Sequence, residues 1–273
     1  MRRRLAAVAL YATLLLGAGL ALFPLFWMVS ASFMATGEAN SYPPRLWPRA
    51  PTLEHYAVLF TRLNLGRYLL NSALVASVVT VVSLAINSMA GYAFAKLRFR
   101  GRDRTFRVLT TGLVIPVQVA MLPLFLLMKQ LGLINSYWGV IIPSLSSIFG
   151  IFLIRQYALA FPDALLDAAR VDGASELRIY WSIVVPVIAP VLATLAIWTF
   201  LATWNDFMWP LIVLSDETRF TLPVALASLV GEHVQDTELM MAGSVLTILP
   251  VLVVFLFLQR YYIQGVMAGS VKG

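Results

Sequence analysis

Long apolar runs alternate with short polar intervals along this chain, and the runs are of membrane length. They extend from Leu5 to about Ser32, Tyr68 to Ala95, Phe106 to Met128, Trp138 to Tyr157, Val187 to Leu214 and Met240 to Gln259. About 20 apolar residues in a helix cross the hydrocarbon of a bilayer. The pattern therefore predicts an all-α integral membrane protein with six transmembrane helices. Proline punctuates several runs: Pro24 predicts a kink in the first, Pro116 and Pro123 break the third, and the fifth contains Pro190 and Pro210. The second run carries Asn71, Ser72, Ser77, Ser83, Asn87, Ser88 and Gly91, small or polar residues suited to close helix packing rather than lipid contact.

The polar intervals differ in character. Residues 34–67 are rich in proline and read as an external loop with a short helix over Leu53–Thr61, and residues 215–239 read as an acidic external loop. Lys96, Arg98, Arg100, Arg102, Arg104 and Arg107 form a basic cluster between two apolar runs, offset by Asp103 alone. Such placement follows the excess of Lys and Arg in cytoplasmic loops, with anionic lipid headgroups rather than nucleic acid as partner. Six spans put both termini on one side; with that side cytoplasmic, fourteen of the 20 Lys and Arg fall inside and six outside. The basic start Arg2–Arg4 is shared with secretory signals. The length of the first run and its bulky Phe23, Phe26 and Trp27 predict an uncleaved span in the cytoplasmic membrane.

Composition agrees and narrows the chemistry. Hydrophobic residues make up 60% and charged residues 12%, against about 25% charged in soluble domains. There is no cysteine, and His55 and His233, both assigned to external loops, are too few for a metal cluster. No GxxxxGK[ST] phosphate loop occurs, so ATP is not bound by that means. The spans offer no histidine that could serve a buried nucleophile, and enzymatic chemistry is not expected. Asp206, in Trp204-Asn205-Asp206, is the one carboxylate inside an apolar run. It reads either as a cap near the outer interface or, with Asn205, as part of an outer gate or solute path.

One polar interval keeps a helical pattern: Asp163–Pro186. Asp163 and Asp167 suit the positive end of a helix, Leu165, Leu166, Ala168, Ala169 and Val171 supply an apolar face, Gly173 permits a turn, and Ser175 can cap a second helix with Glu176 in its first turn. By physics alone this is a pair of short cytoplasmic helices, which could equally lie on a membrane surface.

The spacing Asp167-Ala168-Ala169, three residues, Gly173, nine residues, Ile183-Val184-Val185-Pro186 resembles the EAA motif of ABC-importer permeases, with Asp167 in place of Glu and Val185 in place of Leu. The wider chain is similar to maltose-type permeases of carbohydrate uptake. The resemblance rests on Pro51–Tyr56, Asn71-Ser72, Gly91–Ala95, Leu131–Ser136, Trp204–Asp206 and the tail Ala268–Gly273. It implies a type I importer fold organised as residues 1–67 (first helix and external loop), 68–264 (transmembrane domain with a coupling loop at 161–186) and 265–273 (cytoplasmic tail). It further implies that Asp167, Ala168, Ala169, Asp172, Gly173, Ile183 and Pro186 couple to an ATPase. Implied partners are a second homologous permease, two ATP-binding subunits that carry the ATP and Mg, and an extracytoplasmic solute-binding protein. The implied cargo is a sugar, an oligosaccharide or disaccharide; glycerol phosphate or a polyol is the alternative. A stand-alone channel or carrier, or a structural half without solute contacts, are the readings from other classes.

Overall fold

A computed structural model describes residues 2–232 and 236–270. His233 and the last three residues of the tail lie outside them. The described residues are helical with no strand: α1 Arg2–Ala31, α2 Glu54–Thr61, α3 Leu65–Lys96, α4 Arg102–Thr111, α5 Val117–Gln130, α6 Tyr137–Ser144, α7 Ile148–Leu159, α8 Asp163–Val171, α9 Glu176–Ile179, α10 Val185–Trp204, α11 Met208–Val213, α12 Leu222–Glu232 and α13 Thr237–Ser270. Five segments are long and apolar enough to span a membrane, and a sixth qualifies if the bent pair α4–α5 counts as one.

The chain divides into two compact units. One holds the chain up to Arg67 together with Ala225–Pro250. In it, α1 leaves Leu10, Leu14, Leu16 and Leu20 exposed, as lipid contact requires. Beyond α1, His55 of α2 is buried, and its Nε2 donates to the Met34 carbonyl at 2.9 Å. That bond makes His55 a satisfied interior histidine. Glu238, assigned to the acidic loop from sequence, is instead fully buried, one carboxylate oxygen accepting from the Ala39 amide at 2.7 Å.

The second unit, Tyr68–Val224 with Val251 onward, carries the features relevant to function. Its core joins Tyr92 of α3 and Ile154 of α7 to Leu166, Ile179, Tyr180, Val184, Ile188, Val191 and Leu195. The polar residues of α3 turn inward: Asn71, Ser72, Ser83, Asn87 and Ser88 are buried, and Ser77 is the exception. Asn87 donates to the Ser83 hydroxyl at 2.7 Å and accepts from the Ser147 amide at 3.0 Å, tying α3 to the start of α7. At Gly91 the helices nearly touch, for a Cβ there would lie 2.6 Å from the Cβ and Cγ2 of Ile154.

Four expectations need correction. The third apolar run breaks at Pro116, where the chain turns by 105° between residues 114 and 117, but not at Pro123, which sits inside α5. The fourth run breaks between α6 and α7, with Ser147 as the cap of the second piece. The fifth ends at Trp204 and resumes as the short α11. The interval 215–239 is not all loop, since α12 occupies part of it and buries Leu222, Val224 and Ala225.

Candidate functional site

The interval 163–186 folds as a corner between α7 and α10. Pro162 precedes α8 in extended conformation (φ −66°, ψ 138°), which proline favours and which stops α7 from running on. At its far end α8 is closed by paired backbone bonds: the Ala174 amide donates to the Ala169 carbonyl and the Gly173 amide to the Arg170 carbonyl, both at 3.0 Å. This closure places its next residue in the left-handed region, and Gly173 has φ +80° with no atom near the place a Cβ would take. Ser175 then accepts from the Arg178 amide and starts α9. The second helix is no separate element, because α9 passes through one π-helical turn, Tyr180–Val184, straight into α10.

The apolar face expected of α8 splits in two. Leu166 is buried and Ala169 packs against the core, whereas Ala164, Leu165, Ala168 and Val171 point outward, with Val171 87% exposed. Positions 164, 168 and 171 follow the helical repeat, so α8 presents a small-residue stripe that the described residues leave uncovered.

Charge holds the corner in place. Lys96, at the end of α3, donates to the Phe161 carbonyl at 2.7 Å and to Asp163 at 2.5 Å, and its ammonium lies 4.6 Å from the Phe161 ring centre. Its side chain is 6% exposed, that of Asp163 72%. The hydrogen bond and charge of Lys96 hold the Asp163 carboxyl below the usual carboxylate range. Arg170 bridges Glu176 and Asp167, each at 2.8 Å, and the bond to Glu176 foremost holds its proton more tightly than usual. Glu176 also accepts from the Tyr92 hydroxyl at 2.9 Å, and the Tyr180 and Ser88 hydroxyls share a bond of 2.6 Å. Lys96, Arg98, Asp163, Asp167, Arg170 and Glu176 are the polar lining of a cleft of about 570 Å³ beside α8.

The residues singled out from sequence fall as follows. Asp167 pairs within its own helix; Ala168 and Asp172 are exposed; Ala169 is half-buried; Ile183 packs against the core from the π turn; Pro186 is exposed at the start of α10. Asn205 and Asp206 lie at the other end of α10, about 30 Å from Pro186 at 1.5 Å per residue. Asn205 donates back to the Leu201 carbonyl at 2.9 Å, and Asp206 accepts from the Trp209 amide at 3.3 Å, so one closes α10 and the other caps α11. Sequence reasoning did not bring Tyr92, Lys96 and Arg170 to the site. The signal was there for two of them: Tyr92 and Lys96 are four residues apart, hence on one face of α3.

Residues 87–267 match the family described as binding-protein-dependent transport system inner membrane component. Among curated relatives, the arabinooligosaccharides transport system permease protein AraQ of Halalkalibacterium halodurans is 41% identical, over 93% of this chain and 92% of the relative. The lactose transport system permease protein LacG of Rhizobium radiobacter is 36% identical, covering 100% and 98%. The sn-glycerol-3-phosphate transport system permease protein UgpE of Yersinia pestis bv. Antiqua is 32% identical, covering 93% of each. Among solved structures, a chain of a bacterial ABC transporter involved in the import of the acidic polysaccharide alginate superposes with a TM-score of 0.83 at 26% identity, over 95% of this chain and 97% of that one. With the family matched across most of its length and the helical fold shared, this multi-pass chain belongs to the inner-membrane components of binding-protein-dependent transport systems.

Proposed function

We propose that the chain is the permease subunit of an ATP-driven importer for an oligosaccharide or disaccharide, and that α8 is the helix through which a separate ATPase moves it. The observation that carries the coupling role is the stripe Ala164, Leu165, Ala168 and Val171, exposed on a rigidly closed helix. An apolar stripe left open to water is a surface for a partner, and small residues let another backbone approach. The distribution of Lys and Arg supports α8, and both termini, on the cytoplasmic side, where ATP is available. Since the sequence has no phosphate loop, hydrolysis belongs to partner subunits, two ATP-binding chains with their Mg. A second related permease and an extracytoplasmic solute-binding protein complete the assembly. Movement of α8 then swings the spans between inward-facing and outward-facing arrangements, and the chain itself is non-catalytic.

The names of the AraQ and LacG relatives support a sugar cargo. The UgpE relative keeps glycerol phosphate as the second reading. Uptake of labelled arabino-oligosaccharide, lactose and glycerol 3-phosphate by the reconstituted complex separates them.

For coupling, Gly173→Asp puts a carboxylate beside the stripe and abolishes solute-stimulated ATP hydrolysis while membrane insertion is kept. Ala168→Arg blocks the stripe without altering a left-handed residue and has the same effect. A complex of either variant that hydrolyses ATP and transports normally refutes the docking role.

A further inference from the structure

Three residues of α3 at helical spacing, Ser88, Tyr92 and Lys96, each bond to the corner at 163–186, and they do so in order. Ser88 meets Tyr180 at 2.6 Å, Tyr92 meets Glu176 at 2.9 Å, and Lys96 meets Asp163 at 2.5 Å and the Phe161 carbonyl at 2.7 Å. On the other side Tyr180 and Glu176 are also four apart, so the first two contacts are the rungs of an antiparallel ladder between α3 and the α9–α10 helix. The third rung catches α8 where it leaves α7. Arg170 closes the ladder sideways by holding Glu176 and Asp167 together, each at 2.8 Å.

We propose that this ladder makes the end of α3 and the α8–α9 corner a single moving body, with Tyr92 and Lys96 as positioning residues that carry the displacement of α8 into α3. The inference rests on the coupling role proposed for α8. Exposed ion pairs are weak, but these rungs are not of that kind on the α3 side: Ser88 and Tyr92 are buried, and the Lys96 side chain is 6% exposed. To part from the corner, Lys96 must give up the Phe161 carbonyl and Asp163 that satisfy its largely buried side chain, which is costly. Tyr92 likewise strands a buried hydroxyl. The Tyr92 and Tyr180 rings, 6.0 Å apart, pack against each other between the first two rungs. Movement of α3 is felt further along, because Asn87 holds the Ser147 amide at the cap of α7.

The test uses the complete importer in proteoliposomes, with Tyr92→Phe and Lys96→Met combined. Losing a hydrogen bond to a charged group is worth roughly tenfold in an equilibrium, and the double variant loses at least two, so solute taken up per ATP hydrolysed falls about tenfold or more while the ATPase subunits still co-purify. Lys96→Arg, which keeps the charge and donors, restores most of the ratio. Spin labels at Leu177 of α9 and Ile86 of α3, both exposed and outside the stripe, read the geometry directly. In the wild-type sequence their separation stays within about 2 Å between nucleotide-free and vanadate-trapped complexes, and in the double variant it shifts or broadens. An unchanged uptake ratio in the double variant overturns the proposal. So does a wild-type shift of about 5 Å, a full helical step, which means that the ladder opens in each cycle. If Gly173→Asp has no effect while the distance stays fixed, the coupling reading itself fails and takes the transmission role with it. If Gly173→Asp acts as expected but the distance moves, the ladder alone is refuted.

Discussion

Gly91→Ala is the smallest change that tests how α3 and α7 pack. The added Cβ meets Ile154 Cβ and Cγ2 at 2.6 Å and the Arg155 amide nitrogen at 3.1 Å. Ordinary carbon contacts begin near 3.5 Å, so the helices must separate by about 1 Å. Neither Ile154 atom can swing aside, since one is attached to the backbone and the other is fixed by β-branching. Overpacking costs about 1–3 kcal/mol, and this geometry sits at the upper end. Alanine returns about 1 kcal/mol of helix propensity, leaving a net loss of about 2 kcal/mol. Ile154→Ala as the second change relieves the clash only in part, because alanine keeps the Cβ. Ile154→Gly removes both atoms and exchanges the small residue across the interface. Alone, it costs at least the 2–5 kcal/mol of a core truncation. Equilibrium unfolding in mixed micelles of both single variants and the Gly91→Ala/Ile154→Gly pair reads the coupling. The pair is expected to lose about 2 kcal/mol less than the sum of the singles. Additivity within about 0.5 kcal/mol means the helices do not meet at Gly91.

Two further variants probe the second unit. Asn87→Ala removes the acceptor of the half-buried Ser147 amide and the donor to Ser83; this costs about 1–2 kcal/mol, toward the low end for orphaned groups because hydrogen bonds between membrane helices are weak. Hydrogen exchange at the Ser147 amide then speeds up about tenfold, and an unchanged rate removes Asn87 from that role. Asp206→Ala loses the cap of α11 and about 1 kcal/mol of stability. Asp206→Asn keeps an accepting oxygen, so both melting temperature and uptake stay near wild type; loss of uptake at unchanged melting temperature assigns the carboxylate a part in the solute path.

Apolar periodicity made most of the fold legible because a bilayer demands it: each run must be long and must satisfy its own backbone. It could not say which prolines interrupt a run. Pro24, Pro123 and Pro250 sit inside helices, whereas Pro116 marks a 105° turn. Each proline removes one donor, and tertiary packing decides whether the chain continues. The breaks at Leu145–Ser147 and Asn205–Phe207 were hidden for the same reason: their flanks are apolar on both sides. Glu238 looked like a loop acid because nothing local announces the Ala39 amide, some 199 residues away in the chain. At the corner, Gly173 and Ser175 were readable because a left-handed closure and a cap are local events. The partners of Tyr92 and Lys96 were not, since they lie 84 and 67 residues away.

The π turn at Tyr180–Val184 bears on whether the corner is a hinge or a stiff elbow. Its cause is local: Pro186 has no amide to donate to the turn before it, and the Val185 amide reaches back to Tyr180 instead. From sequence the corner reads as ending at Pro186, before the fifth apolar run, which is why α9 looked separate. A widened turn with a missing donor is a natural place to bend. Packing argues against bending here. Ile179, Tyr180, Val184 and Ile188, which lie on both sides of the turn, are all buried in one core cluster with Ile154 and Leu195. Bending at the turn would pull part of that set out of contact, at about 1.5–3 kcal/mol for each large side chain exposed. The Ser88–Tyr180 bond, made from within the turn, would be lost as well. The corner is therefore stiff toward α10, and under the coupling role proposed for α8 a push on it would reach α10 as well as α3.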